Sequence, residues 1–564
     1  MEKVWLNSYP EGVPSEIDPS QYNSLVDLFN ESIQKYADKP MYKNMGVTLS
    51  FNDVDALSTA FATYLQQHCK LKKGQRLSIM MPNVLQYPIA LFGALKAGLI
   101  VANVNPLYTA RELEHQLKDA QCDTIIILEN FAHTLESCKQ NTPIKHIITT
   151  ELGDLFPFIK KHLVNKVVKY VKKMVPDFSL PEAVSFQTAI QLGRKSSFSA
   201  VEIGHDDIAF LQYTGGTTGV SKGAVLTHKN MISNMLQAYH WVELIDGKET
   251  VVSALPLYHI FALTANCLLF MLVGGCNLLI TNPRDIPGFV ATMKKERFTA
   301  FAGVNTLFNA LLNHPEFKSI DFSSLHLSLG GGMAVQEYVA ETWRKVTGCP
   351  LMEAYGLTEA SPAVCINPPD IKAFNGSIGL PIPSTDISII NSDGKHLDIG
   401  EVGELCVKGP QVMKGYWNRD QETANIFTTD GWLKTGDIAT VDDKGYVRLS
   451  SRKKDMIVVS GFNVYPNEIE EIVSQLDEVL ECAAVGVPDK KSGERIKLYI
   501  VKKDPNLSEA QVQAHCEKNL TNYKRPRIIE FRDSLPKSNV GKILHRLLRE
   551  ESTKVFEKNV KKSS

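Results

Sequence analysis

The 564 residues contain no Cys-x-x-Cys pair. The ten cysteines, at 69, 122, 138, 267, 276, 349, 365, 406, 482 and 516, are scattered, which argues against a zinc cluster. They are also few for a disulfide scaffold of this length, so a reducing, cytoplasmic setting is expected. Excess charge of one sign is lacking too: 61 Lys and Arg against 62 Asp and Glu leave a net charge of −1. No global field draws the chain to nucleic acid or acidic substrates, and no nucleic-acid partner is expected. The start, MEKVWLNSYPEGVP, has no basic segment leading into an apolar one, so no secretory signal is visible. Internal repeats and low-complexity tracts are missing. One uncharged run, residues 260–280 (IFALTANCLLFMLVGGCNLLI), is long enough to cross a bilayer. Asn266, Gly274, Gly275 and Asn277 interrupt it. A helix ending at the glycine pair, then a strand CNLLI, is the preferred reading.

Hydrophobic residues make up 44% and charged residues 22% of the chain, as in globular proteins. The length exceeds one ordinary core and implies two to four domains or subdomains. Residues 50–70 carry Val54, Leu57, Phe61 and Leu65 at helical spacing, with Ser50 and Asp53 placed to cap the start. Apolar runs at 77–82, 99–104, 123–130 and 146–150 alternate with helix-like stretches such as PIALFGALKAG. This pattern predicts a largely parallel sheet covered on both faces, an α/β fold. The runs 208–214 and 326–332 end in glycine- and threonine-rich loops, where ligands collect in open α/β sheets. After about residue 375, short strands and glycine turns predict a small β-rich subdomain. Beyond the charged run SRKKD (451–455) lies an α+β unit of about 110 residues, long enough to be a separate domain.

The strongest chemical signal is YTGGTTGVSKG, residues 213–223. Glycines let backbone N–H groups approach a phosphate. Thr214, Thr217, Thr218 and Ser221 add hydroxyls, and Lys222 adds a positive charge. The Walker pattern fails here, because Ser221 precedes Lys222 and Gly223 follows it. The segment Gly219–Gly223 does match the G-x-S-x-G nucleophile elbow, and Asp437 and His545 follow in the order a serine hydrolase requires. The threonine-rich flank suits phosphate better. In EAYGLTEASP (353–362), Tyr355 can stack on a purine and Glu359 can hold Mg²⁺ through carboxylate oxygen. In residues 430–457, Asp437 can accept two ribose hydroxyls and Arg452 can add a second contact. In LPKSNVGKILHR (535–546), Lys542 sits in a glycine-bearing turn before a helix.

In this order the four segments resemble the adenylate-forming superfamily of acyl-CoA synthetases, adenylation domains and firefly luciferase. The resemblance covers essentially the whole chain. The stretches KVWLNSYPEGVPSEI, MMPNVLQYPIALFGALKAGLIVANVNPLYTARELEHQL, ALPLYHIFALTANCLLF and KDMIVVSGFNVYPNEIE are similar to bacterial long-chain fatty-acid–CoA ligases. The resemblance implies ATP, Mg²⁺ and coenzyme A, with a long-chain fatty acid activated as its adenylate for degradation or lipid synthesis. It implies an N-terminal domain 1–452, a hinge at Lys453–Lys454 and a mobile C-terminal lid 455–564. Tyr213, Thr214, Gly215, Gly216, Thr217, Thr218, Gly219, Ser221, Lys222 and Gly223 would bind the phosphates, with Thr214 also near the metal. Gly331, Gly332, Met333, Ala354, Tyr355 and Gly356 would line the adenine pocket. Thr358 would touch the α-phosphate, Glu359 the magnesium, and Asp437 with Arg452 the ribose. His259 would lie near the carboxylate, and Lys542 would be the catalytic lysine of adenylation. Gly461, Phe462 and Asn463 would shape the thiol tunnel. Medium-chain and aryl-acid ligases of the same superfamily stay open, as does a homodimer.

A carboxylate is a poor electrophile. Its attack on the α-phosphate makes a mixed anhydride, in a transition state whose charge a metal and a lysine can offset. No protein nucleophile is needed, so no cysteine need be catalytic. Ile260 to Leu263, with Val304, Phe308, Ala360 and Pro362, are candidates to line an alkyl pocket, and equally read as core. Last, residues 156–175 place Ile159, Leu163, Val167, Tyr170, Val171 and Met174 on one helical face, with Lys161, Lys166, Lys169, Lys172 and Lys173 opposite and Lys160 the exception. Such a helix either lies on anionic lipid or packs on its own domain.

Overall fold

A computed structural model describes residues 2–214, 221–489 and 492–563, with side chains as far as Lys554. The first apolar runs form the strands Arg76–Met80, Ile100–Asn103, Thr124–Leu128 and His146–Thr150. Their β-branched, uninterrupted character suits strands covered on both faces, and all five residues of Thr124–Leu128 are buried. With Ile208–Thr214, Lys222–Thr227 and Val184–Ser185 they make a seven-stranded sheet, parallel except for the hairpin of Ile208–Thr214 and Lys222–Thr227.

The parallel sheet expected from those runs forms, and a second sheet accompanies it. A nine-stranded sheet runs, in spatial order, Leu380–Pro381, Ala363–Ile366, Leu351–Gly356, Leu327–Gly331, Ala300–Gly303, Thr250–Ser253, Cys276–Leu279, Pro40–Asn44 and Val47–Ser50. Its six central strands are parallel. The N-terminal hairpin thus crosses to join strands more than 200 residues away. Apolar periodicity marks a strand but not the sheet that receives it. One continuous apolar core reaches from the N-terminal helices to both sheets.

Local signals explain the helices that matter below. Helix Phe51–Gln67 begins with the expected Ser50–Asp53 capping box. Helix His228–Trp241 follows its strand directly, because Thr227 and Asn230 form a second capping box. The uncharged run resolves into a helix from Ile260 to Leu272, with a π-helical middle at Leu263–Leu268, and then the strand Cys276–Leu279. Among the described residues no helix is long and apolar enough to cross a membrane.

The strands Asp386–Ile390, Gly403–Lys408, Leu433–Val441 and Val447–Arg452 form a four-stranded antiparallel sheet. Past it stands a unit with its own core, built on Ile457–Val459, Phe462–Val464, Val479–Asp489, Gly493–Lys502 and Ile528–Arg532. Helices Pro466–Ser474, Glu509–Asn519 and His545–Ser563 accompany this sheet. The parallel strand Ile528–Arg532 had no clear sequence signal: its side chains are all half-buried, so apolar and charged residues mix.

Candidate active site

Two adjacent parallel strands, Leu327–Gly331 and Leu351–Gly356, set Gly331 beside Ala354. Their ends therefore bring the expected segments 331–333 and 354–356 together. A cavity opens there, lined at this end by His259, Phe261, Gly331, Gly332, Ala354, Tyr355, Gly356, Thr358 and Lys542. It continues between helix His228–Trp241 and the sheet, past Leu329, to Ala238, Val242, Val251, Phe270, Ala300 and Leu327. Leu327 precedes Gly331 by four residues on one strand, so the apolar bore follows the sheet for about 13 Å.

Of the expected pocket residues, Ile260, Phe261 and Pro362 line this cavity. Phe308 does not; it packs edge-on against Trp343 in a separate core. Ala360 is fully buried in the main core. Val304 lies beside the Gly332 and Gly541 backbones instead. Sequence reading missed Ala238, Val251, Ala300 and Leu327, which look like any core residues until the packing leaves space beside them.

Lys542 comes from the C-terminal unit and enters this cavity. The turn Ser538–Lys542 is closed by the Gly541 N–H donating to the Ser538 carbonyl, and by the Lys542 N–H donating to Ser538 Oγ at 3.1 Å. Gly541 has φ +82°, and its carbonyl accepts a 3.0 Å bond from the Thr306 hydroxyl of the large domain. The lysine chain then passes over Gly332, whose φ is +79° and where a Cβ would stand 3.1 Å from Lys542 Cε. Burial pushes the Lys542 ammonium down to about 8, with Arg452 adding repulsion while Asp437 and Glu359 partly oppose it. His259 caps the helix that starts at Ile260. Its Nδ1 accepts the Phe261 N–H at 3.3 Å, which leaves Nε2 to carry the proton. Burial, and then the nearby Lys542, push its pKa down to about 3, so the ring is neutral at pH 7.

Asp437 and Arg452 are direct cross-strand partners in the four-stranded sheet, and Arg452 Nε lies 3.6 Å from Asp437 Oδ1. The Tyr355 hydroxyl donates to Asp437 Oδ2. Tyr355, Asp437 and Arg452 thus form one edge of the site, next to Lys542. Burial raises the Asp437 carboxyl against the pull of Arg452.

The expected phosphate loop is the turn of the hairpin in which Thr214 pairs with Lys222. Gly215, Gly216, Thr217, Thr218 and Gly219 lie outside the described residues. Lys222 lies over the Tyr416 ring, 5.3 Å from its centroid, and 3.8 Å from Glu422. The Tyr416 hydroxyl donates to Glu359 Oε1 at 2.6 Å. Lys222 and Glu359 therefore share one aromatic neighbour, which no sequence motif marks. Tyr213 turns away: its hydroxyl donates to Asp119 at 2.7 Å, and its ring lies against Gly223. Tyr213 therefore braces the hairpin instead of reaching the cavity. Met333 is half-buried against the main core.

Gly461, Phe462 and Asn463 are not brought to the cavity. They form a surface hairpin in the C-terminal unit, where Phe462 stacks on Tyr523 at 4.8 Å. With Lys542 inserted, the small domain presents a different face. The serine-hydrolase order does not assemble. Ser221 leads into a strand where the elbow needs a helix. Asp437 is engaged by Tyr355, and His545 by Glu470 at 2.7 Å. All ten cysteines are free and buried, and burial pushes the thiol of Cys267, for one, up to about 12.

Comparison with known proteins agrees with this geometry. The AMP-binding enzyme family matches residues 29–417, and the AMP-binding enzyme C-terminal domain matches residues 468–542. A long-chain-fatty-acid–CoA ligase of Escherichia coli O157:H7 is 58% identical over 554 residues, covering 98% of this chain and 99% of that protein. One from Haemophilus influenzae is 53% identical over 555 residues, with the same coverage of 98% and 99%. Among solved structures, the anthranilate CoA ligase AuaEII in complex with anthranoyl-AMP superposes with a TM-score of 0.85 at 25% identity, over 96% of this chain and 100% of that one. The chain belongs to the AMP-binding enzyme family and, within it, groups with the bacterial long-chain-fatty-acid–CoA ligases.

Proposed function

We propose that this enzyme uses ATP to join a long-chain fatty acid to coenzyme A through a bound acyl-adenylate, releasing pyrophosphate and then AMP. The observation that carries this is a buried ammonium, Lys542, at the polar end of an apolar bore that neutral His259 also lines. An alkyl chain would fill the bore. Its carboxylate would then meet His259 and Lys542, next to Thr358. Asp437, Arg452 and Tyr355 would hold the nucleoside, and the 214–223 hairpin turn would take the phosphates. Lys542 would stabilise charge gathering on the α-phosphate as the carboxylate oxygen attacks.

Glu359 and Thr214 fit a magnesium ion: one carboxylate, with Oε1 oriented by Tyr416, and one hydroxyl are the hard ligands it accepts beside phosphates. Such an ion would supply charge neutralisation there. Lys453 and Lys454 would form the hinge between domain 1–452 and lid 455–564. The Lys453 ammonium, 3.0 Å from Glu404, and the Lys454 carbonyl, which accepts from Arg549, tie that segment to both sides. Turning about it would withdraw Lys542 and bring the 461–463 hairpin to the adenylate for the thiol step. The enzyme would also work at an anionic membrane face, where a long-chain acid partitions.

The test is acid-dependent pyrophosphate release from ATP, across fatty acids of increasing length and an aryl acid. Rates should rise with chain length. A preference for aryl or short acids would move the enzyme to another branch of the family.

A further inference from the structure

The helical segment from Phe158 to Val171 is amphipathic the wrong way round for a helix packed on its own domain. Its polar side faces inward. Buried Asn165 donates to Glu151 at 2.9 Å and accepts the Gly153 N–H at 2.7 Å. Lys161 turns in to Asp154, at 3.3 Å, and to Gln187. Lys169 lies 3.7 Å from Glu129. The apolar side faces out: Phe158 is 77% exposed, Ile159 82%, Leu163 62%, Tyr170 68%, Val171 74% and Met174 51%. Elsewhere among the described residues, at most two large exposed apolar side chains stand close together in sequence. Lys160 donates to the carbonyl of Met45, itself 46% exposed, which adds that hairpin tip to the patch.

Exposure on this scale costs free energy in water and marks an interaction surface. Lys166, Lys172 and Lys173 stay exposed around the apolar face. A second copy meeting this face through a two-fold axis would bring the exposed lysines of both copies into one interface with no acidic partner of its own among residues 158–174. A negatively charged bilayer surface satisfies both parts of the patch, with headgroups for the lysines and acyl chains for the apolar side chains.

We propose that residues 158–174, with Met45, form the surface by which this chain docks on anionic lipid bilayers. Docking needs no ligase chemistry, so it stands or falls apart from the catalytic reading. The experiment is vesicle co-sedimentation of the full chain, on zwitterionic lipid alone and on zwitterionic lipid mixed with an anionic one. The wild type should bind the mixed vesicles preferentially. The triple variant Ile159→Ser, Leu163→Ser, Val171→Ser should lose at least about tenfold in partitioning. These side chains face water, so its circular dichroism should match the wild type. Lys166→Glu, Lys172→Glu and Lys173→Glu together should abolish the preference for anionic lipid. Equal partitioning of the serine variant and wild type would overturn the proposal. So would a wild-type dimer in sedimentation that the same serines disperse. Pyrophosphate release with a short, water-soluble acid should be unchanged in both variants.

Discussion

With its ammonium pushed down by burial, Lys542 should make the adenylation step sensitive to alkali, by an amount that can be worked out beforehand. Its fall from 10.5 to about 8 means that the site disfavours the ammonium by about 3 kcal/mol. The lysine is about nine-tenths charged at pH 7 and about one-tenth charged at pH 9. If the charge stabilises the transition state, kcat/KM for adenylation should fall about tenfold between those pH values, since that ratio reports the free enzyme. The assay is acid-dependent pyrophosphate release with coenzyme A omitted, so that its thiol does not titrate in the same range. His259, near 3, stays neutral throughout. One other group needs control. Burial pushes Glu353, on the strand Leu351–Gly356, up to about 8; the Val335 N–H opposes this and Glu471 of the small domain reinforces it. Glu353 is protonated below that pH and gains a buried charge above it. Glu353→Gln should keep the alkaline limb if Lys542 causes it. Lys542→Arg, which holds its charge, should remove the limb while lowering the overall rate. A wild-type profile flat to pH 10, or an unchanged limb in the arginine variant, would refute the reasoning.

Other consequences follow from the packing. Gly332→Ala places a Cβ 3.1 Å from Lys542 Cε at a φ of +79°, so adenylation should slow about tenfold at a left-handed strain of roughly 1 kcal/mol. Thioester formation from supplied acyl-adenylate should stay near wild type, as measured by coenzyme A consumption. Ala238→Trp fills the apolar bore beside Val251 and Phe270. It should depress kcat/KM for long acids by at least tenfold while sparing short ones, in a competition assay read by mass spectrometry. Ser221→Ala should keep more than about a third of the activity, because on the proposed reading the hydroxyl would be one phosphate donor among several and not a nucleophile.

Much of the site was legible in the sequence because its parts are local. Gly331 and Gly332 end one strand, Ala354, Tyr355 and Gly356 end the next, and each loop carries its own residue types. The cross-strand pairing of Asp437 with Arg452 follows from two strands joined by a short glycine turn. What stayed hidden depends on long-range packing. The N-terminal hairpin joins a sheet built from residues 250–381, and nothing in Pro40–Ser50 specifies that destination. Tyr213 sits inside the phosphate motif, yet its hydroxyl goes to Asp119, a partner 94 positions earlier. Tyr416 bridges Lys222 and Glu359 from a loop with no motif. The 156–175 helix had the right periodicity, but only its seating reveals that Lys161 and Lys169 point inward and the apolar face outward.

The central claim is that Lys542, reaching in from the small domain, completes the site for the first half-reaction alone. Acid-dependent exchange of labelled pyrophosphate into ATP, measured on Lys542→Ala beside its conversion of supplied acyl-adenylate to acyl-CoA, tests this most directly. The exchange should fall by about a thousandfold while the second conversion persists within a fewfold of wild type. Equal loss of both in a folded variant, or full retention of exchange, would contradict the account.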